Sequence, residues 1–159
     1  MHVRISILSL ALLSGTFGCA SVPPSGSLPH TVAAQASKAL DATVAGRPAL
    51  VSLWATWCEA CTAEFGALNR LDARTRGGPG VIVGIAVGEP QAKVAAYVRD
   101  RGLHYAQVVD EDFVLADALG EHRVPATLVL DRAGRVIFRG GALDEEALRA
   151  FQIVTDPAQ

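Results

Sequence analysis

The fold of this 159-residue chain is decided by the stretch Leu53-Trp54-Ala55-Thr56-Trp57-Cys58-Glu59-Ala60-Cys61. Residues 49–54 form an almost wholly apolar run of strand length, so a buried strand is expected to end near Trp54. Two cysteines separated by two residues then open the next element, which we expect to be a helix. Because unpaired backbone N–H groups at a helix start favour an anion, Cys58 is expected to react as a thiolate, with Cys61 as its disulfide partner. The pattern indicates a redox-active dithiol.

A structural disulfide and half of a metal site are the alternatives for this cysteine pair. A four-cysteine zinc site needs a second pair, whereas the chain has three cysteines, of which the third, Cys19, is isolated. Three cysteines are also too few for a disulfide scaffold. We therefore expect redox catalysis by Cys58 and Cys61, with no metal site and no cofactor.

The composition is that of one ordinary globular domain. Half of the residues are apolar and 19% are charged, which is enough apolar material for a substantial core. The formal net charge is -2 and no basic patch is present in the sequence. A nucleic acid is therefore not expected as a partner.

The N-terminal residues have the pattern of an export signal. Arg4 supplies positive charge, and residues 5–17 are uncharged and mostly apolar. That run is shorter than the roughly 20 residues of a membrane span but suits the apolar core of a signal peptide. Cys19 follows Gly18, which resembles a bacterial lipoprotein signal whose cysteine becomes lipidated. Cleavage after Ala20 and an uncleaved anchor are the alternatives, and all three place the domain outside the cytoplasm.

The chain divides into three segments. We predict a signal over residues 1–19, a flexible tether rich in Pro, Ser and Gly over residues 20–30, and a folded domain over residues 31–159. Within the domain, apolar periodicity and turn residues predict five strands, at 49–54, 81–87, 105–109, 126–130 and 135–139. They also predict helices at 31–43, 62–74, 91–101, 113–119 and 143–151.

Alternating strands and helices followed by a hairpin and a last helix predict an α/β fold, with a mixed central sheet covered by helices on both faces. With a CxxC motif opening a helix, the pattern resembles the thioredoxin fold over residues 32–153. It is most similar to the extracytoplasmic thiol-disulfide oxidoreductases of the TlpA/ResA type. The resemblance is carried by Gly46-Arg47-Pro48, Leu53-Trp54-Ala55-Thr56-Trp57-Cys58, Glu59, Cys61, Glu64, Val87-Gly88-Glu89 and Val124-Pro125.

The resemblance implies roles for Cys58 as the attacking thiol, Cys61 as the resolving thiol and Glu64 as an acid-base group near them. A glutamate three residues beyond Cys61 could equally be a solvent-facing residue of the first helical turns. Cytosolic thioredoxins carry a buried aspartate in the strand before the motif, and the matching position here is Ser52. Glu89 is expected to begin the following helix and not to be catalytic.

The resemblance also implies a substrate-binding surface made of Trp57, Val124 and Pro125. In the family the bond before the matching proline is cis, and the residue before it offers its backbone to an extended substrate. The alternative is a proline that merely begins a strand, where it disturbs the sheet least. Ala60 departs from the proline common between the two cysteines in these enzymes, which leaves the redox potential open.

The function expected from these residues is extracytoplasmic thiol-disulfide exchange. The resemblance implies reduction of disulfides in exported proteins, as in cytochrome c maturation, with electrons from a membrane thiol reductant and a lipid anchor at Cys19. The direction is not fixed, because an acidic first thiol also suits an oxidant. The alternative is a copper(I) chaperone using Cys58, Cys61 and His122, since thiolates suit Cu(I). A thiol peroxidase is disfavoured because the Thr-x-x-Cys spacing of such enzymes is absent.

Overall fold

The computed structural model describes residues 30–156, with side chains from residue 37 onward. The predicted signal 1–19, including Cys19, and residues 20–29 of the predicted tether lie outside the described residues. Between residues 30 and 156, none of the helices combines the length and the apolar character needed to cross a membrane.

Helices and strands alternate along the described chain. The helices are α1 (His30–Val44), α2 (Glu59–Thr75), α3 (Gln91–Arg101), α4 (Val114–Leu119) and α5 (Glu145–Thr155). The strands are β1 (Ala49–Trp54), β2 (Val81–Val87), β3 (Ala106–Asp110), β4 (Ala126–Leu130) and β5 (Val136–Gly140).

The strands form one mixed sheet in the order β3-β2-β1-β4-β5. β1 lies at its centre, parallel to β2 and antiparallel to β4. β3 is parallel to β2, and β5 forms the predicted antiparallel hairpin with β4. All six residues of β1 are buried, as expected for a strand covered on both faces. The predicted mixed sheet is confirmed.

Helices cover both faces of this sheet. On one face, the Trp54 ring of β1 lies 5.2 Å from Phe65 of α2 and 5.7 Å from Tyr97 of α3, between ring centroids. Side chains alternate along a strand, so Leu53 faces the other way, and there it lines a cavity with Ala116 of α4. α1 packs against α4 on that second face. The predicted two-sided covering is therefore confirmed, and the end of β1 lies between two helical layers.

Several element boundaries differ from the sequence prediction, and local hydrogen bonds or backbone angles explain three of them. α2 begins at Glu59, directly after Cys58, which confirms the helix predicted to open at the CxxC motif; the Cys58 side chain caps it by accepting from the Cys61 N–H. α5 begins at Glu145 because Asp144 caps it through the Ala147 N–H. β5 begins after Arg135, whose N–H binds the Asp131 carboxylate in the turn. Phe113 precedes α4 instead of beginning it, since its φ is 61°.

Candidate active site

Cys58 and Cys61 form a disulfide at the N-terminus of α2, with their Cα atoms 5.3 Å apart. Cys58 is the capping residue of the helix, and its Sγ accepts a hydrogen bond from the Cys61 N–H at 3.2 Å. Cys58 is 6% exposed and Cys61 is 1% exposed, so Cys58 is the sulfur more accessible to a partner. The predicted pair is present, and its catalytic role stays a prediction.

The loop before Cys58 is held by Glu89, a contact that sequence reasoning missed. Glu89 is 3% exposed. It accepts hydrogen bonds from Thr56 N–H at 2.6 Å and from the Thr56 hydroxyl at 2.5 Å. Lys93 Nζ donates to the same carboxylate at 2.5 Å. Burial alone would raise the pKa of Glu89, but these three hydrogen bonds together with the Lys93 charge leave its pKa below the ordinary value.

Glu64 lies on α2 one turn beyond Cys61 and is 8% exposed. Its Oε1 accepts a hydrogen bond from the Leu143 N–H at 2.9 Å, just before α5. Its Oε2 is buried without a hydrogen-bond partner among the described residues. Burial raises the pKa of Glu64, and the single backbone hydrogen bond offsets this only in part. The solvent-facing alternative is therefore wrong, and the carboxyl has the environment of a group that holds its proton to a higher pH.

The three predicted substrate-binding residues lie near the dithiol. Trp57 immediately precedes Cys58 and is 66% exposed. The Val124–Pro125 peptide bond is cis, as the resemblance implied. Val124 lies between two surface cavities, one shared with Trp57 and the other with Pro125. The structure therefore brings these side chains to one surface, while their role in binding substrate stays a prediction.

His122 is not gathered with the two cysteines. Its Nδ1 lies 3.4 Å from Asp117 Oδ1, and both side chains are mostly exposed. Within the described part of the chain, no group of three or more His, Cys, Asp or Glu side chains is placed to hold a metal ion.

The buried strand β1, the capping cysteine and the buried carboxyl on α2 define a thioredoxin-like domain with a redox-type cysteine pair. The chain belongs to the Redoxin family, whose pattern matches residues 20–147.

The curated relatives include thiol-disulfide exchange proteins, one of which is of the predicted ResA type. The chain is 33% identical over 101 residues to the thiol:disulfide interchange protein DsbE of Escherichia coli, covering 62% of this chain and 52% of that protein. It is 24% identical over 115 residues to the thiol-disulfide oxidoreductase ResA of Bacillus subtilis, covering 72% and 64%. The predicted resemblance to the TlpA/ResA type is confirmed, although the chain spans only about half to two thirds of these relatives.

Solved structures confirm the fold. A thioredoxin-family thiol:disulfide interchange protein from Chlorobium tepidum superposes with a TM-score of 0.60 at 22% identity, covering 73% of this chain and 85% of that one.

Glu64→Gln is expected to change how stability depends on pH. A carboxyl with a raised folded-state pKa contributes fully below its unfolded pKa, and that contribution is lost as the pH rises through the folded value. Glutamine can still accept from the Leu143 N–H but does not ionise. Urea unfolding at several pH values should therefore show the variant losing less stability than the wild type between acidic and neutral pH. The exposed Glu59→Gln is the control and should follow the wild type; a Glu64→Gln curve parallel to the wild type would contradict this account.

Glu89→Gln is expected to destabilise the domain by about 1–3 kcal/mol at neutral pH, because a buried, multiply bonded carboxylate loses its charge. A carboxyl with a lowered folded-state pKa contributes above its unfolded pKa, so the difference from wild type should shrink as the pH falls through the folded value. Urea midpoints at pH 7 and pH 3 measure both effects. Glu145→Gln, which removes an exposed ion pair with Arg149, should change stability by no more than about 1 kcal/mol. Equal effects of the two substitutions on stability would show that Glu89 does not hold the loop at Thr56.

Proposed function

We propose that this protein is an extracytoplasmic thiol-disulfide oxidoreductase that reduces disulfides in exported proteins, as in cytochrome c maturation. The observation that carries the proposal is the Cys58–Cys61 disulfide at the start of α2, with the Cys58 sulfur at the helix cap and the more exposed of the two. Relatives named as thiol:disulfide interchange and thiol-disulfide oxidoreductase proteins support the same reaction class.

The reaction begins with the reduced protein. The Cys58 thiolate attacks one sulfur of a substrate disulfide, which forms a mixed disulfide and releases the other substrate sulfur as a thiolate. Cys61 then loses its proton and attacks the Cys58 sulfur. This step expels the second substrate thiolate and leaves the Cys58–Cys61 disulfide. Two electrons pass to the substrate, and a membrane thiol reductant returns the pair to the dithiol.

We assign to Glu64 the role of accepting the proton that the Cys61 thiol loses. It follows Cys61 by three residues on the same helix and is buried with one unpaired oxygen. A carboxyl whose pKa is raised by burial holds its proton to a higher pH, and it can therefore both accept and return a proton in the exchange. Trp57, Val124 and Pro125 are assigned to the substrate, which would lie as an extended segment beside the backbone of Val124.

The location outside the cytoplasm is proposed from the first 30 residues. We infer a signal at 1–19, lipidation at Cys19 and a tether at 20–30, which would hold the domain near the membrane that carries its reductant. The apolar run 5–17 and the Gly18-Cys19 junction support this assignment.

The Cys61→Ser variant should trap partners as mixed disulfides, because its Cys58 can attack but nothing resolves the adduct. Non-reducing gels of exported proteins should show Cys58 adducts that dithiothreitol dissolves, with none from the Cys58→Ser/Cys61→Ser double variant. Mass spectrometry of the adducts identifies the substrates. A complete lack of adducts, together with a wild-type pair that cannot be reduced and reoxidised, would remove the enzyme assignment.

The lipid anchor is tested on the full chain expressed in a bacterium. The mature protein should begin at Cys19, carry acyl chains by mass spectrometry and fractionate with membranes. Cys19→Ser should lose the acyl chains. A mature, unmodified protein that begins at Ser21 would instead establish simple secretion.

A further inference from the structure

A cavity of about 490 Å³ opens beside the dithiol on the face of the sheet opposite α2. Trp57, the residue before Cys58, and Val124, the residue before the cis proline, both line it. Its remaining apolar lining comes from β1, β2, α4 and the turn before α4, and comprises Leu53, Val87, Ala116 and Phe113. The cavity is therefore continuous with the surface assigned to the substrate.

Phe113 lines this cavity and has an unfavourable backbone conformation. Its φ is 61° and its ψ is 18°, and its side chain is 47% exposed. A large residue without a glycine's freedom rarely adopts this left-handed region, and such strain gathers at functional sites. Burial does not explain the strain, because nearly half of the residue stays in contact with solvent.

The turn that carries Phe113 is rigidly built. The Asp110 carbonyl accepts from the Phe113 N–H at 3.3 Å and from the Gly88 N–H at 2.9 Å. The buried Asp110 carboxylate accepts from the Leu115 and Ala116 N–H groups. A Cβ on Gly88 would come within 2.3 Å of the Phe113 ring, so the ring rests against a bare backbone. The aromatic side chain is thus held in place beside the cavity.

Ionisable side chains also line the cavity, and they are Asp117, Glu121, His122 and Arg123. Asp117 lies beside His122, and Glu121 accepts from Arg139 at 3.0 Å. The interior is apolar, and two of the four large apolar side chains that stand exposed in the described part of the chain, Trp57 and Phe113, border it. Exposed aromatic residues around a pocket are typical of binding hot spots. The apolar lining and the two exposed aromatic side chains therefore favour an apolar occupant.

We propose that this cavity is a specificity subsite that binds an apolar, preferably aromatic, side chain of the substrate polypeptide, close in sequence to the cysteine that Cys58 attacks. The inference rests on the proposed exchange reaction and adds the class of substrate. Because Trp57 and Val124 line the cavity and also belong to the proposed substrate-binding surface, the side chain in the cavity would belong to the same extended substrate segment. Stacking between aromatic rings would add to simple burial of apolar surface.

The test uses reduced Cys61→Ser protein and symmetric disulfide dimers of a short peptide, so that attack on either sulfur gives one adduct and one released thiol. Phenylalanine or alanine is placed beside the peptide cysteine, and adduct formation is followed by acid quenching and mass spectrometry. The phenylalanine peptide should react about tenfold faster, as expected for one apolar group in a pocket. Phe113→Asn in this background should reduce that preference to about twofold or less, since asparagine accepts the left-handed backbone but removes the ring.

Ile153→Asn is the matched control, because it removes an equally exposed apolar side chain from α5. It lies beyond Phe151, which contacts Gly80 at the start of β2 and so at the opposite end of the sheet from Cys58. This control should keep the tenfold preference, and near-ultraviolet circular dichroism should confirm that Phe113→Asn is folded. Equal rates for the two peptides, or a preference that survives Phe113→Asn, would overturn the subsite alone. Failure of the protein to react even with hydroxyethyl disulfide would overturn the exchange reaction, and the subsite with it.

Discussion

The position of one sulfur depends on the junction between β1 and α2. β1 is buried along its whole length and paired on both sides, so the chain must leave the sheet at the carboxyl end of the strand. Four residues later Cys58 caps α2, where backbone N–H groups favour a thiolate. Glu89 binds both the backbone and the side chain of Thr56 in between. The strand, the helix cap and the Glu89–Thr56 contact together determine where the Cys58 sulfur lies.

The sheet separates two chemical environments around this junction. On the α2 side, Glu64 is buried against the segment that leads into α5, in surroundings that keep a carboxyl protonated to a higher pH. On the α4 side, the apolar cavity with Phe113 is open to solvent. Val124 lines this cavity and a second one that it shares with Pro125. In the proposed reaction, proton transfer and recognition of the substrate would thus use different faces, so each could vary without disturbing the other.

Local patterns predicted the parts of the molecule that depend on neighbouring residues. The alternating strands and helices from residue 49 onward and the hairpin at 126–139 predicted the mixed sheet, and the CxxC spacing predicted the disulfide pair, because strand burial and helix starts depend on short stretches of sequence. The start of α5 was misplaced because a single side chain, Asp144, sets it by capping. Such a contact shifts a boundary without changing the periodic pattern.

The surroundings of Glu64 and of Thr56 depend on contacts between residues that are distant in the sequence. Glu64 accepts its hydrogen bond from Leu143, and Thr56 donates to Glu89, so spacing on one helix or strand could reveal neither contact. Glu89 was noted in the sequence as part of the motif Val87-Gly88-Glu89, but its partner Thr56 lies on another segment of the chain. Phenylalanine rarely adopts the left-handed backbone conformation that Phe113 has. Residue propensity therefore predicted that α4 begins at Phe113, whereas it begins at Val114.

The decisive measurement follows the equilibrium of the Cys58–Cys61 pair with glutathione redox buffers by mass spectrometry after thiol alkylation. We expect a reversible transition in which both cysteines change together, with about 30 mV for each tenfold change in the ratio of reduced to oxidised protein. In the partly reduced protein, Cys58 should be alkylated before Cys61. A pair that stays oxidised at every accessible potential, or a reduced form in which Cys61 reacts first, would show that this is not a redox pair with Cys58 as the attacking thiol.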